Sequence, residues 1–119
     1  MYSLEDLRNI VVKFRNERNW EQFHTPRNLA TALNIEASEL QELFLWLGDD
    51  EIQHQLEKSE YREAVKDEMA DVFAFLLHLA DVLKVDLGEA LEKKMEKNGQ
   101  KYPVGKSYGS AKKYNRLES

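Results

Sequence analysis

Apolar residues recur along most of the chain at the three- and four-residue spacing of amphipathic helices. The first such run follows Ser3, which with Asp6 resembles a capping box. A second begins after Thr25 and Pro26, a pair that favours a helix start, and Gly48 is predicted to close it in the left-handed conformation. The predicted helices cover residues 3–18, 26–47, 60–84 and 87–98.

No strand alternation of useful length is present, so the sequence predicts an all-α fold, a four-helix bundle with a short helical connector after the second helix. We expect one helical domain over residues 1–103. Residues 104–119 are expected to form an irregular tail that is flexible or docked at an interface. The third helix is apolar on both sides, which predicts self-association as a homodimer or homotetramer.

Composition narrows the possible functions. The 119 residues contain no cysteine, which excludes disulfides and thiolate metal sites, and the net charge of −5 argues against binding of duplex nucleic acid. The N-terminal residues do not resemble a signal sequence, and no apolar run approaches the length of a membrane span. We therefore expect a cytoplasmic protein that has no membrane association.

Four acidic residues interrupt the apolar stripes of the second and third helices. They form two pairs at i, i+3 spacing, Glu36 with Glu39 and Glu68 with Asp71. An unpaired carboxylate buried in an apolar face is costly, and a divalent cation with oxygen ligands is an economical compensation. From the pattern alone, a solvated or salt-bridged arrangement is an equally good interpretation.

The histidines are weaker evidence for a metal site than the acidic pairs. His78 follows Asp71 by two helical turns and is compatible with a place beside the acids, although a lone helical histidine is more often structural. Glu51 and His54 have the E-x-x-H spacing of di-iron carboxylate bundles. Such bundles need two copies of the motif, so the single copy argues against a carboxylate-bridged iron protein.

Several segments together resemble a known family, the MazG-like all-α nucleoside triphosphate pyrophosphohydrolases, and within it the dCTP pyrophosphatase branch. The resemblance covers about residues 3–103, and Ile35 departs from it because the broader family often has a glutamate there. The segments that carry it are WEQFHTPRNL at 20–29, EASELQELFLW at 36–46, DEMADV at 67–72, KMEKN at 94–98 and KYP at 101–103.

This resemblance implies hydrolysis of a dNTP, with preference for dCTP or a modified dCTP, to the dNMP and pyrophosphate. It implies Mg²⁺, with Mn²⁺ as a substitute, held by Glu36, Glu39, Glu68 and Asp71. Glu36 or Glu39 would also orient the attacking water as catalytic residue. The expected substrate-binding residues, near subunit interfaces, are Trp20, His24, Arg27, Asn28, Trp46, Phe75, Lys94, Asn98, Lys101 and Tyr102.

The sequence leaves a second function class open. A helical dimerisation module that binds a nucleotide or a protein without turnover would share the same amphipathic pattern. It would be stabilised by its ligand and would release no product. The expected cellular role of the enzyme is the removal of unwanted nucleotides from the pool.

Overall fold

The computed structural model describes residues 1–117 and confirms the all-α prediction for that part of the chain. Two 3₁₀ turns, Glu21–Phe23 and Tyr114–Arg116, accompany the helices. The α-helices are α1 (Leu4–Glu17), α2 (Pro26–Glu42), α3 (Asp49–Gln55), α4 (Ser59–Leu83), α5 (Leu87–Lys101) and α6 (Val104–Ser107). The four long predicted helices are α1, α2, α4 and α5, and α3 is the predicted connector.

Local capping explains where the helices begin. The Ser3 hydroxyl accepts a hydrogen bond from the Asp6 backbone N–H at 3.1 Å, and the Asp6 carboxylate accepts one from the Ser3 N–H at 2.9 Å. The Thr25 hydroxyl accepts from the Asn28 N–H at 3.2 Å, with Pro26 in the first helical position. These bonds satisfy backbone donors that have no partner inside the helix.

The second helix ends earlier than predicted. α2 stops at Glu42 rather than at residue 47, and residues 43–46 form tight turns. The Tyr61 hydroxyl donates a 2.6 Å hydrogen bond to the Leu43 carbonyl, which takes up one of the carbonyls left free at the helix end. The prediction for Gly48 is also wrong: it has φ −75° and precedes α3, while Trp46 has the positive φ of 67°.

The chain forms two compact units, the first being Met1–Val85. In this unit α4 packs against both α2 and α1. The buried apolar residues are Leu29, Leu77 and Ala80, with Leu29 only 1% exposed. Arg15 of α1 is also buried, and its guanidinium lies 3.0 Å from the Asp81 carboxylate of α4. α4 is thus the central helix of the unit.

One face of α4 remains uncovered in this unit. The apolar side chains on it are Met69, Phe73, Leu76 and Leu83, all of which are exposed. The buried residues of this helix are instead Leu77, His78 and Ala80. Within residues 1–117 no helix has the length and apolar character needed to cross a membrane.

The second unit begins at Asp86, whose carboxylate caps α5 by accepting from the Glu89 N–H at 3.1 Å. α5 continues to Lys101, beyond the predicted end at residue 98. The following segment is less irregular than predicted, because it contains α6 and a 3₁₀ turn. Residues 118–119 of the predicted tail lie outside the described residues, and the domain boundary at residue 103 stays a prediction.

Candidate active site

Three of the four acidic residues meet where α2 packs on α4. Glu36 and Glu39 of α2 and Glu68 of α4 each offer one carboxylate oxygen, and these three oxygens lie within 4.8 Å of one another. The i, i+3 spacing places the first two on one helix face. We call these three residues the acid cluster.

The carboxylates of the acid cluster repel one another and are only partly compensated by hydrogen bonds. The Oε2 atoms of Glu36 and Glu68 are buried and have no hydrogen-bond partner. Burial, followed by the neighbouring Glu39 and the charges of Asp71 and Glu68, raises the pKa of Glu36 to about 7. Burial and the charge of Glu39 also raise the pKa of Glu68. A divalent cation fits this donor set, because it is all oxygen and has uncompensated lone pairs.

Asp71, the fourth predicted ligand, lies one turn after Glu68 on α4. Its carboxylate is close enough to raise the pKa of both Glu36 and Glu68, although it is not among the three clustered oxygens. Asp71 also lines an adjacent cavity. This residue therefore connects the acid cluster with the cavity.

The cavity lies between α1, α4 and the loop that joins α1 to α2, and its volume is about 330 Å³. Its lining is Ile10, Val11, Phe14, Arg15, Trp20, His24, Asp71, Ala74, Phe75 and His78. Three predicted substrate-binding residues, Trp20, His24 and Phe75, are among them. Trp20 meets Phe14 edge to face, with 5.9 Å between ring centroids. Aromatic walls of this kind suit a flat ring.

Two histidines lie in the cavity wall, together with the charged residues Arg15 and Asp71. The rings of His24 and His78 meet edge to face with 4.6 Å between their centroids, and the Nδ1 atom of each is buried without a hydrogen-bond partner. Burial, the neighbouring His24 and Arg15 lower the pKa of His78 to about 4. Burial and the charge of Arg15 also lower the pKa of His24. Both shifts favour the neutral form of the ring.

The only sequence signal for His78 is a weak one, its two-turn spacing from Asp71. Nothing in the sequence pairs it with His24, which lies 54 positions earlier. Arg15 and Asp81 were likewise missed, because an ion pair between residues 66 positions apart depends on how two helices pack.

The other predicted residues of the first unit lie on α2 or in the turns that follow it. The Asn28 side chain donates a 2.9 Å hydrogen bond to the Phe23 carbonyl, so it supports the start of α2. Arg27 precedes it and is exposed. Trp46 is 91% exposed and has a left-handed backbone. Such a conformation is unfavourable for an aromatic residue, which makes the presented indole a functional candidate.

The remaining predicted residues belong to the second unit. Lys94, Asn98 and Lys101 share the uninterrupted helix α5 at i, i+4 and i+7, which places them on one face. The Asn98 amide lies 3.7 Å from the Met95 sulfur. The Tyr102 ring meets the Tyr114 ring edge to face at 6.2 Å, and the Lys101 ammonium lies 4.9 Å from the centroid of Tyr114.

Comparisons with known proteins agree with this architecture. A protein named dCTP pyrophosphatase 1 from Mus musculus is 47% identical over 115 residues, which are 97% of this chain and 68% of that protein. The Homo sapiens protein of the same name is 43% identical with the same coverage.

Among solved structures, a pyrophosphatase from Archaeoglobus fulgidus DSM 4304 is 42% identical with a TM-score of 0.79. The match covers 87% of this chain and 94% of that one. The family model that matches residues 31–117 is described as MazG-like. These matches confirm the resemblance predicted from the sequence motifs, and this chain belongs to the MazG-like family.

Proposed function

We propose that this MazG-like chain is a metal-dependent dNTP pyrophosphohydrolase that converts a dNTP to the dNMP and pyrophosphate, preferably with dCTP or a modified dCTP. Relatives that are named dCTP pyrophosphatase 1 support the activity and the base preference. The acid cluster carries the proposal, since its buried, unpartnered oxygens lie next to a cavity with aromatic walls.

The residues that we assign to the metal are Glu36, Glu39, Glu68 and Asp71. A bound Mg²⁺, or Mn²⁺ in its place, would neutralise phosphate charge and lower the pKa of a water molecule. Glu36 or Glu39 orients the attacking water and accepts its proton. The water oxygen forms a bond to the α-phosphorus, and the bond from that phosphorus to the α–β bridging oxygen breaks, which releases pyrophosphate.

The cavity is our candidate for the nucleobase. Trp20 and Phe75 supply aromatic surface, and Asp71 joins the cavity to the acid cluster. A nucleotide whose base lies in the cavity would extend its phosphates toward the carboxylates. We also propose that His24, Arg27 and Asn28 contact the base or the sugar. Lys94, Asn98 and Lys101 are proposed to bind phosphate oxygens, with Tyr102 beside them.

We further propose that the protein is a homodimer or homotetramer whose sites lie near subunit interfaces. The support is the exposed apolar face of α4 and the exposed Trp46, since monomeric proteins rarely present such surfaces without a partner. Light scattering after size exclusion should give twice or four times the chain mass. Phe73→Glu should lower that mass, whereas Lys66→Glu, on the same helix, should not. A monomeric wild type would reject this proposal.

The activity is tested with each dNTP in the presence of Mg²⁺ or Mn²⁺, with inorganic pyrophosphatase added and phosphate measured by malachite green. Glu39→Gln and Asp71→Asn should each lower kcat/KM at least about 100-fold, because loss of groups that merely support metal ligands already costs 10–100-fold. Glu42→Gln and Asp67→Asn are the matched controls, since both residues are exposed on the same two helices.

Three outcomes separate the possibilities. Metal-dependent phosphate release that fails in Glu39→Gln and Asp71→Asn supports both the function and the site. Full activity in both variants rejects the site. Thermal stabilisation by nucleotides without any product would favour the non-catalytic binding module instead. The cytoplasmic location and the role in cleaning the nucleotide pool remain parts of the proposal.

A further inference from the structure

The cavity contains a polar residue that the motifs do not assign. His78 is 6% exposed, lines the cavity and has a buried Nδ1 atom without a partner. This Nδ1 is shielded from the cavity, so a ligand would meet the rest of the imidazole ring, which lines the wall. Because buried polar groups in native proteins are almost always hydrogen-bonded, a polar ring at the wall of a cavity is a candidate to bind a ligand. His24 lines the same wall and also has a buried Nδ1 without a partner.

The charges around His78 are already balanced. Arg15, which also lines the cavity, is paired with Asp81 at 3.0 Å and donates from Nε to the Asn16 side chain at 3.0 Å. Burial, together with the positive charge of Arg15, lowers the pKa of both imidazoles and so favours their neutral form. A neutral imidazole carries one N–H donor and one acceptor nitrogen. The histidine pair therefore suits a neutral ligand edge that has both donors and acceptors.

Shape and size restrict the ligand further. The aromatic rings of Phe14, Trp20 and Phe75 provide flat apolar surface around the two histidines. A volume of about 330 Å³ is near the lower end of the range for ligand pockets. Such a cavity has room for one small heterocycle rather than for a whole nucleotide.

We propose that His78, paired with His24, is a specificity-determining residue that hydrogen-bonds the polar edge of a pyrimidine base. This inference rests on the proposed pyrophosphohydrolase function and adds a residue outside the matched motifs. The edge of cytosine presents an amino donor beside acceptors, and that of thymine presents an N–H donor between carbonyl acceptors. Because either imidazole nitrogen can carry the proton, both edges have the required chemistry, and the substrate panel separates them.

The first test uses His78→Phe, which keeps an aromatic ring and removes both ring nitrogens. For the preferred pyrimidine dNTP we expect kcat/KM to fall about tenfold, as for the loss of one buried hydrogen bond, mainly through KM. Purine dNTPs should change less than about twofold. His78→Gln, which retains hydrogen-bonding atoms, should restore part of the loss. His54→Phe is the control, because His54 is an exposed histidine of α3.

The second test does not depend on turnover. Histidine ¹⁵N resonances of the wild-type protein are recorded with EDTA present while dCMP, dTMP or dAMP is added. Selective shifts of the His78 and His24 signals with a pyrimidine monophosphate support the proposal, even if no dNTP is hydrolysed and the enzymatic function fails. Equal losses for all dNTPs in His78→Phe, or unmoved histidine signals in an active enzyme, would overturn it.

Discussion

The acid cluster and the histidine pair each take one residue from α4, Glu68 and His78, and both contain buried polar atoms without partners. In the acid cluster the unpartnered atoms belong to glutamates whose pKa values are raised. In the cavity they belong to histidines whose pKa values are lowered. Both regions thus disfavour the ionised form of their side chains. In the acid cluster this reduces negative charge, and in the cavity it reduces positive charge.

The difference between them is the kind of partner that each lacks. The acid cluster has an excess of negative charge with no cation among the described residues that compensates Glu36 or Glu68. The cavity has its one buried cation, Arg15, already paired with Asp81. A metal ion would satisfy the first region, and a neutral ring with a polar edge would satisfy the second. Asp71 borders both, so one nucleotide–metal complex would bring both partners together.

The largest expected effect comes from breaking the charge balance of the cavity. Asp81→Ala leaves Arg15 buried without a partner, and we expect a loss of about 3 kcal/mol in the free energy of unfolding, measured with urea. Asp67→Ala, at an exposed position of α4, should change it by less than about 0.5 kcal/mol. Equal losses in the two variants would mean that the ion pair does not determine the stability of this region.

The next effect should distinguish the two regions by their response to metal. If the proposed site binds Mg²⁺, the ion at about 100 times its dissociation constant should stabilise the protein by about 2.7 kcal/mol, because the unfolded chain would not hold the acid cluster together. Glu39→Gln should remove most of this gain in thermal unfolding, and His78→Phe should retain it. An undiminished gain in Glu39→Gln would locate the cation elsewhere.

The stability contributions of the two regions should change with pH in opposite directions. Glu36 has a folded pKa near 7 and an ordinary value of 4.5, so the folded state holds the extra proton and stability falls as pH rises through this window. His78 has a folded pKa near 4 against 6.5, so the unfolded state holds the proton and stability falls as pH drops through that window.

The measurement is urea unfolding at pH 4.5 to 7.5 with EDTA present. Glu36→Gln should weaken the decrease toward neutral pH, and His78→Gln should weaken the decrease toward acidic pH. Each contribution is limited to about 1.4 kcal/mol per pH unit, the value for one proton. A variant that changes the slope in the opposite direction would contradict the assignment for its residue.

The smallest effect concerns the rim of the cavity. The Arg18 guanidinium lies 3.6 Å from the centroid of the Phe14 ring and donates a 2.9 Å hydrogen bond to the Phe14 carbonyl. Arg18→Ala should lower the unfolding free energy by about 1 kcal/mol. Arg8→Ala, at an exposed position earlier on α1, is the control and should have a smaller effect. Equal effects would show that the stacking adds nothing.

Elements set by neighbouring residues were predicted well. The caps at Ser3 and Thr25 start their helices as expected, and the two acidic pairs lie on α2 and α4. The end of α2 was wrong because the Leu43 carbonyl bonds to Tyr61, which is 18 positions away.

The sequence alone therefore determined most of the helices, their N-terminal caps and the spacing of the two acidic pairs, because backbone hydrogen bonds and side-chain spacing within a helix depend on three or four neighbouring positions. Only the tertiary structure decided that Glu68 joins Glu36 and Glu39, that Arg15 pairs with Asp81, and that two histidines share one cavity wall. These arrangements depend on how helices distant in sequence rotate and pack, since an apolar stripe is compatible with several such packings.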